Sequence, residues 1–223
     1  MTKSYNPFRV MPKQLYIAKE GHFTIAVLLA AALFMWIVGW GIFAFLSFAA
    51  AAFSAFFFRN PERTHSPESG TIISPADGKI LSVTQGAAAP VTGELCTKIS
   101  IFMSAFNVHV NRFPIEARVE DVKYIPGKFF VASMDKACEE NERNIILLAD
   151  DSSRKIVMVQ IAGLVARRIV CYVKPGDKLR KGERFGMIKF GSRVDLYLPP
   201  CVEIAVKAGE KVLSGATIIG RFK

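Results

Sequence analysis

Between Phe23 and Phe58 the chain carries no charged side chain. A run of 36 such residues has few places to go, and it limits the fold more sharply than anything else in the sequence. As one straight helix it would measure about 54 Å, at a rise of about 1.5 Å per residue, against a hydrocarbon core of about 30 Å. A break near Gly39-Trp40-Gly41 instead gives two helices of about 15 to 17 residues, short but adequate with interfacial anchoring. Trp36 and Trp40 sit at that break, where amphipathic rings favour the headgroup level. Lys13 and Lys19 precede the run, and Arg59 and Arg63 follow it. Basic flanks stay on the cytoplasmic side, so both ends belong there and residues 23–58 are expected to form a transmembrane hairpin. The run is too long for a signal peptide and lacks a clear small-residue cleavage site. Residues 1–22 then read as a basic cytoplasmic N-terminus, and 59–70 as a Pro/Ser/Gly-rich linker.

What remains, residues 71–223, is enough for one modest domain. The net charge of +10 calls for an anionic partner, and beside an apolar anchor an anionic lipid surface suits it best. The basic residues are scattered, with no interleaved aromatic motif, so nucleic acid is not expected. Cys96, Cys138, Cys171 and Cys201 show no C-x-x-C spacing and no nearby histidine. No metal site or disulfide framework is expected; they read as small core residues in a reducing compartment.

The pattern beyond the linker is β-type. Short runs at 71–74, 79–84, 98–103, 118–124, 145–149, 155–161 and 168–173 are punctuated by Gly and Pro. Only 135–143 suggests a short helix or ordered loop. Near the C-terminus a segment repeats: Val173-Lys-Pro-Gly-Asp-Lys-Leu is echoed by Val206-Lys-Ala-Gly-Glu-Lys-Val, and Gly176 and Gly182 recur as Gly209 and Gly215. Two copies cannot make a solenoid. The repeat looks like the β-turn-β element of biotinyl/lipoyl-type folds and would join two halves of a β structure, with Ser192 on the connection between them. The fold class expected is mainly β (α+β), a sandwich- or barrel-like domain behind an N-terminal helical hairpin.

One stretch of this β domain can carry chemistry in its own backbone: Phe190-Gly191-Ser192-Arg193-Val194-Asp195-Leu196-Tyr197-Leu198-Pro199. Glycine leaves its carbonyl unshielded and tolerates the backbone angles that an attacking neighbour needs. The Ser192 hydroxyl could add to the Gly191 carbonyl to give an ester; elimination would leave dehydroalanine, which hydrolyses to a pyruvoyl group. The same pair is equally an ordinary turn. Serine needs a base to react. His22 adjoins the apolar run and His65 lies in the linker, both bystanders, whereas His109 sits in an alternating, strand-like stretch. By itself His109 reads as well as a hydrogen-bonded core histidine, and Asp77, in Ser74-Pro75-Ala76-Asp77-Gly78, as a turn former.

The blocks SPADGKI, ISIFMSAFNVHVNRFP, DKACEENERN, QIAGLVARRIVCYV and GSRVDLYLP, in that order, closely resemble the short, membrane-anchored (type A) prokaryotic branch of the phosphatidylserine decarboxylases. The resemblance runs from about Phe56 to Pro199. It implies a zymogen that cleaves itself between Gly191 and Ser192 into fragments 1–191 and 192–223. It further implies a covalent pyruvoyl cofactor made from Ser192, which forms a Schiff base with phosphatidylserine and releases CO2 to give phosphatidylethanolamine. Asp77, His109 and Ser192 take the positions of an Asp-His-Ser triad, with His109 also a candidate to protonate the substrate carbon. The long-form branch has two histidines three positions apart here. This chain has His109 and then Arg112, which leaves open whether His109 serves both maturation and decarboxylation. Arg167 and Arg168 are candidates for the substrate phosphodiester or carboxylate, although neighbouring strand residues point to opposite faces. Glu139, Glu140, Asn141 and Glu142 suggest a lid or a subunit contact, and homo-oligomers are compatible with this. The catalytic domain is expected on the cytoplasmic face of the inner membrane, in contact with phosphatidylserine and other anionic lipids. Two readings compete: the same chemistry on another serine-headgroup lipid, and a non-catalytic, membrane-tethered biotinyl/lipoyl-like binding module. The module would need a modifiable lysine at a hairpin tip in an M-K-M-type motif, and none occurs at the comparable turns.

Overall fold

The computed structural model describes residues 16–64, 68–133, 137–164, 168–189 and 191–223. They fall into two compact units, a helical one that ends at Glu62 and a β-rich one that runs from Arg63 to Lys223.

In the helical unit α1 spans Lys19–Ile37 and α2 spans Gly41–Phe57. The break falls where Gly39 takes a φ of +84°, which favours a residue without a Cβ. α1 begins four residues before the uncharged run: Gly21 sits under the Phe58 ring, with no room for a Cβ, and so draws the first turn into the pair. Backbone bonds from Ala18 N to Phe58 O (2.8 Å) and from Asn60 N to Tyr16 O (2.6 Å) fasten the two open ends together. Between the helices Ser47 Oγ donates to the Leu28 carbonyl at 2.8 Å. Phe23, Trp36, Ile42 and Phe45 remain exposed on the outside. By length and composition α1 can cross a membrane, while α2, at 17 residues, is shorter.

The β unit follows the alternation of its sequence. In order come β1 (Thr71–Ile73), β2 (Gly78–Ala88), β3 (Leu95–Met103), β4 (Val110–Arg112) and β5 (Ala117–Ile125). A single turn, α3 (Ala137–Glu140), precedes β6 (Arg143–Ala149), β7 (Lys155–Ile161), β8 (Ile169–Cys171), β9 (Lys178–Leu179) and β10 (Arg184–Ile188). The chain ends with β11 (Ser192–Leu198), β12 (Val202–Ile204), β13 (Lys211–Val212) and β14 (Ile218–Phe222). Eight strands form one sheet in the order β13-β2-β3-β11-β7-β6-β5-β9; β4-β10-β8 and β1-β14-β12 form two smaller ones. Each of the seven expected β runs holds a strand, and the domain is mainly β behind a helical hairpin, as read from the sequence.

The repeat has a clear structural meaning. Gly176 and Gly209 take φ of +92° and +93°, and Gly182 and Gly215 take +83° and +77°. Each copy supplies one edge strand of the large sheet, β9 beside β5 and β13 beside β2. Each then supplies the middle strand of a small sheet, β10 in one and β14 in the other. β11, which starts at Ser192, runs between the copies through the middle of the large sheet, between β3 and β7. Every residue of β11 is buried. On the face shared with Ser192, Val194, Leu196 and Leu198 lie among Ile99, Ile101, Ile146, Leu148, Ile156 and Met158, all fully buried. The opposite face carries Tyr197, Val157, Val159, Ile145 and Cys96.

The cysteines do not all match the expectation of small core residues. Cys96 is buried, Cys171 is half-buried, and Cys201 is exposed in the turn before β12.

Candidate active site at the head of β11

Two glycines meet just before β11. Gly191 takes a φ of +56°, a conformation that costs a side-chain-bearing residue roughly 1–2 kcal/mol. Gly163 faces it across the sheet: a Cβ built there would lie 1.8 Å from the Gly191 carbonyl oxygen and 2.9 Å from its carbon. The Gly191 carbonyl is thus seated on a bare Cα. Register places Ser192 opposite Met103 and Arg193 opposite Phe102. Ser192 is fully buried, and its Oγ donates to the Met103 thioether at 3.4 Å.

A chain of buried amides runs beyond that sulfur. Asn144 Nδ2 donates to Gln160 Oε1 at 3.2 Å, Gln160 Nε2 donates to Asn111 Oδ1 at 2.9 Å, and Asn111 Nδ2 points at Met103 Sδ from 3.8 Å. Gln160 pairs with both Val194 and Asn144 in register, so the first link is a direct cross-strand pair. Polar residues inside an apolar sheet face need partners of this kind, because each unmet amide costs about 1–3 kcal/mol.

His109 is fully buried just ahead of β4. Its Nδ1 lies 3.0 Å from the Asn107 carbonyl. A carbonyl can only accept, so Nδ1 carries the proton and Nε2 is the basic nitrogen of the neutral ring. The loop that presents it is itself tied, since Ser104 N and Oγ both donate to Asn107 Oδ1 at 2.9 and 2.8 Å.

Asp77, also buried, stands one residue before β2. Its Oδ2 accepts from Arg63 at 3.1 Å and its Oδ1 from the Ser214 amide at 2.7 Å. Ser214 Oγ reaches the Pro75 carbonyl at 3.1 Å and the Val110 carbonyl at 3.4 Å, beside His109. Since Lys79 pairs with Phe102, and Phe102 with Arg193, Asp77 and Ser192 lie at the same end of the sheet. With strands about 4.8 Å apart, their backbones are on the order of 10 Å apart. The structure therefore gathers Asp77, His109 and Ser192 at one end of the domain. The hydrogen bond that fixes the His109 tautomer, expected from Asp77, goes to the Asn107 carbonyl.

Of the paired arginines, Arg167 lies outside the described residues. Arg168 is exposed at the entrance to β8, and its carbonyl accepts from Lys189 N at 3.2 Å. Arg112, at the second family position, donates to the Gly182 carbonyl at 3.0 Å.

Within the polar block 139–142, Asn141 acts internally. Asn141, fully buried, donates to the Phe130 and Ala162 carbonyls at 2.8 and 2.7 Å and accepts from Phe130 N at 2.8 Å. It fastens the loop beneath Gly163 to the end of β7, whereas Glu139 and Glu140 are exposed. Sequence reasoning passed over Gly163, Met103, Asn111, Gln160, Arg63 and Ser214. The available signal was weak: Gln160 is an amide at an alternating position where Ile156 and Met158 are apolar, and Gly163 follows a strand.

On the reverse face of β11 lies a buried ion pair, Arg193 to Asp195 at 2.5 and 3.1 Å, joined by Ser100 Oγ at 2.8 Å and Lys98 at 3.4 Å.

Comparison with known proteins converges on one family. A family model described as "Phosphatidylserine decarboxylase" matches residues 50–220. A protein from Solidesulfovibrio magneticus named "Phosphatidylserine decarboxylase proenzyme" is 47% identical over 205 residues, 92% of this chain and 95% of the relative. A protein of the same name from Magnetococcus marinus is 45% identical over 96% of this chain and 98% of its own length. Another, from Syntrophus aciditrophicus, is 45% identical over 95% of this chain and all of its own length.

Proposed function

The chain belongs to the phosphatidylserine decarboxylase family, and from that premise we propose that it matures by cutting itself between Gly191 and Ser192. The observation that carries this reading is the junction itself: a glycine carbonyl at positive φ, seated on the bare Cα of Gly163, next to a buried serine hydroxyl. In the first step Ser192 Oγ bonds to the Gly191 carbonyl carbon and the peptide C–N bond breaks. His109 Nε2 takes the hydroxyl proton and passes it to the departing amine. The Ser192 Cα proton and the Gly191 carboxylate then leave in a β-elimination. The resulting enamine tautomerises to an imine, water adds at Cα, and ammonia is released.

The products are fragments 1–191 and 192–223, the latter beginning with a pyruvoyl group. The junction suits such a group, because the small, fully buried Ser192 side chain it replaces faces the soft, uncharged Met103 thioether. When formed, it supplies an electrophilic carbonyl that captures the substrate amine and accepts the electron pair left by CO2. The protein contributes His109 as the acid that protonates the substrate carbon, and Asp77 as the charge that steadies the His109 cation. One of the two arginines, Arg167 or Arg168, receives the headgroup anion. The substrate is phosphatidylserine and the product phosphatidylethanolamine. The helical pair holds the enzyme in the cytoplasmic membrane with both ends on the cytoplasmic side.

The test is CO2 release from purified protein mixed with phosphatidylserine vesicles, with vesicles of another serine-headgroup lipid, and with free serine. Release only from phosphatidylserine, lost in Ser192→Ala, is expected. Equal release from free serine, or activity in Ser192→Ala, contradicts the proposal.

A further inference from the structure

We propose that Met103 is a positioning residue for self-cleavage, an inference that rests on the Gly191–Ser192 reading above: its thioether orients the Ser192 hydroxyl, and the Asn144–Gln160–Asn111 chain holds the thioether in place. The contact is built into the sheet. Ser192 and Met103 are direct cross-strand partners, both fully buried, with Oγ and Sδ 3.4 Å apart. On its other side the sulfur faces Asn111 Nδ2 at 3.8 Å, and that amide is held by Gln160 at 2.9 Å.

The choice of acceptor has a chemical logic. A thioether is a weak acceptor, so it aims the hydroxyl without gripping a proton that must move to the base. A carboxylate or amide at the same place would hold that proton harder. Such a group would also be left unmet once the oxygen became part of an ester, which is costly for a buried polar atom. The demand becomes sharper at elimination: the serine oxygen departs with the Gly191 carboxylate, and the serine Cβ ends as a methyl group. The side chain opposite must therefore accept a hydroxyl first and a methyl afterwards. Methionine, polar enough for the one and soft and apolar enough for the other, meets both. A leucine would pack against the methyl equally well but could not aim the hydroxyl.

The experiment follows precursor made in a cell-free system in the presence of lipid nanodiscs, with intact mass read over time. Met103→Leu is expected to mature about three- to tenfold more slowly than wild type, because the Ser192 hydroxyl, no longer drawn toward the sulfur, spreads over its other side-chain rotamers. Norleucine at position 103, which replaces only the sulfur with a methylene, is expected to do the same, and it keeps the test alive if Leu packs badly. Hydroxylamine separates the steps, because it cuts an accumulated ester and leaves a fragment that begins with serine. With the defect before the ester, hydroxylamine should not speed Met103→Leu. Thermal midpoints of Ser192→Ala precursor with and without Met103→Leu should agree within a few degrees. Maturation at the wild-type rate in both 103 variants overturns the inference, as does hydroxylamine cutting Met103→Leu rapidly. Cleavage of Ser192→Ala would instead overturn the reading on which it rests.

Discussion

At Gly163 a single methyl group would collide with the backbone of Gly191, at 1.8 Å from its oxygen. No side-chain rotation relieves a backbone overlap, so Gly163→Ala should leave the precursor uncut; maturation at the normal rate on a gel would show that the seat is dispensable. His109→Ala should stall maturation, since the Ser192 hydroxyl keeps its proton without a base. Asp77→Asn should slow it less, because Asn107 rather than Asp77 sets the ring tautomer. The double variant should be little slower than His109→Ala alone, as residues that act as one unit are not additive. Fully additive rates would separate Asp77 from the histidine. Behind β11, Asp195→Ala would strip Arg193 of its buried carboxylate, and breaking such a pair costs about 3–5 kcal/mol. Urea titration of uncleaved Ser192→Ala precursor checks this, and a loss under about 1 kcal/mol would mean that Ser100 and solvent compensate.

Among elements, the legibility of the sequence was uneven for physical reasons. The two helices were readable from the length of the uncharged run and its Gly-Trp-Gly break, and the β runs from short apolar segments punctuated by Gly and Pro. The repeat was readable because its turns need glycine at positive φ, at positions 176, 182, 209 and 215. That its copies close opposite edges of one sheet was not readable, since strand pairing is set by contacts far apart in sequence. For the same reason Gly191, Ser192, Asp77 and His109 stood out as residue types, while Gly163, Met103 and Asn111 emerged only with the register. Cys96 and Cys201 test the burial directly. Burial, with Glu94 nearby, pushes the Cys96 thiol above its ordinary pKa, while Cys201 is exposed. A maleimide at neutral pH should label Cys201 quickly and Cys96 slowly, with the Cys96 rate still climbing at pH values where an ordinary thiol has levelled off. Equal rates would contradict the packing of β3. For the helical pair, cysteines placed at Lys19 and Glu62 should both be shielded from an impermeant reagent outside the cell, and one at Gly39 should react. Opposite labelling of the two ends would mean a single span.

On the scale of the whole molecule, an apolar hairpin is carried on the same chain as a β domain whose central strand begins at the residue proposed to react. The arrangement suits the activity proposed above, in which the substrate is a membrane lipid and the cofactor is cut from the chain's own backbone. Each half of the internal repeat closes one edge of the sheet, and β11 runs between them through its middle with the Gly191–Ser192 junction at its head. The most direct measurement is the intact mass of the purified protein. The account predicts two species: residues 1–191, and a 192–223 fragment lighter by one ammonia than the same fragment beginning with serine. A single chain of full mass, or a small fragment that begins with serine, would contradict it.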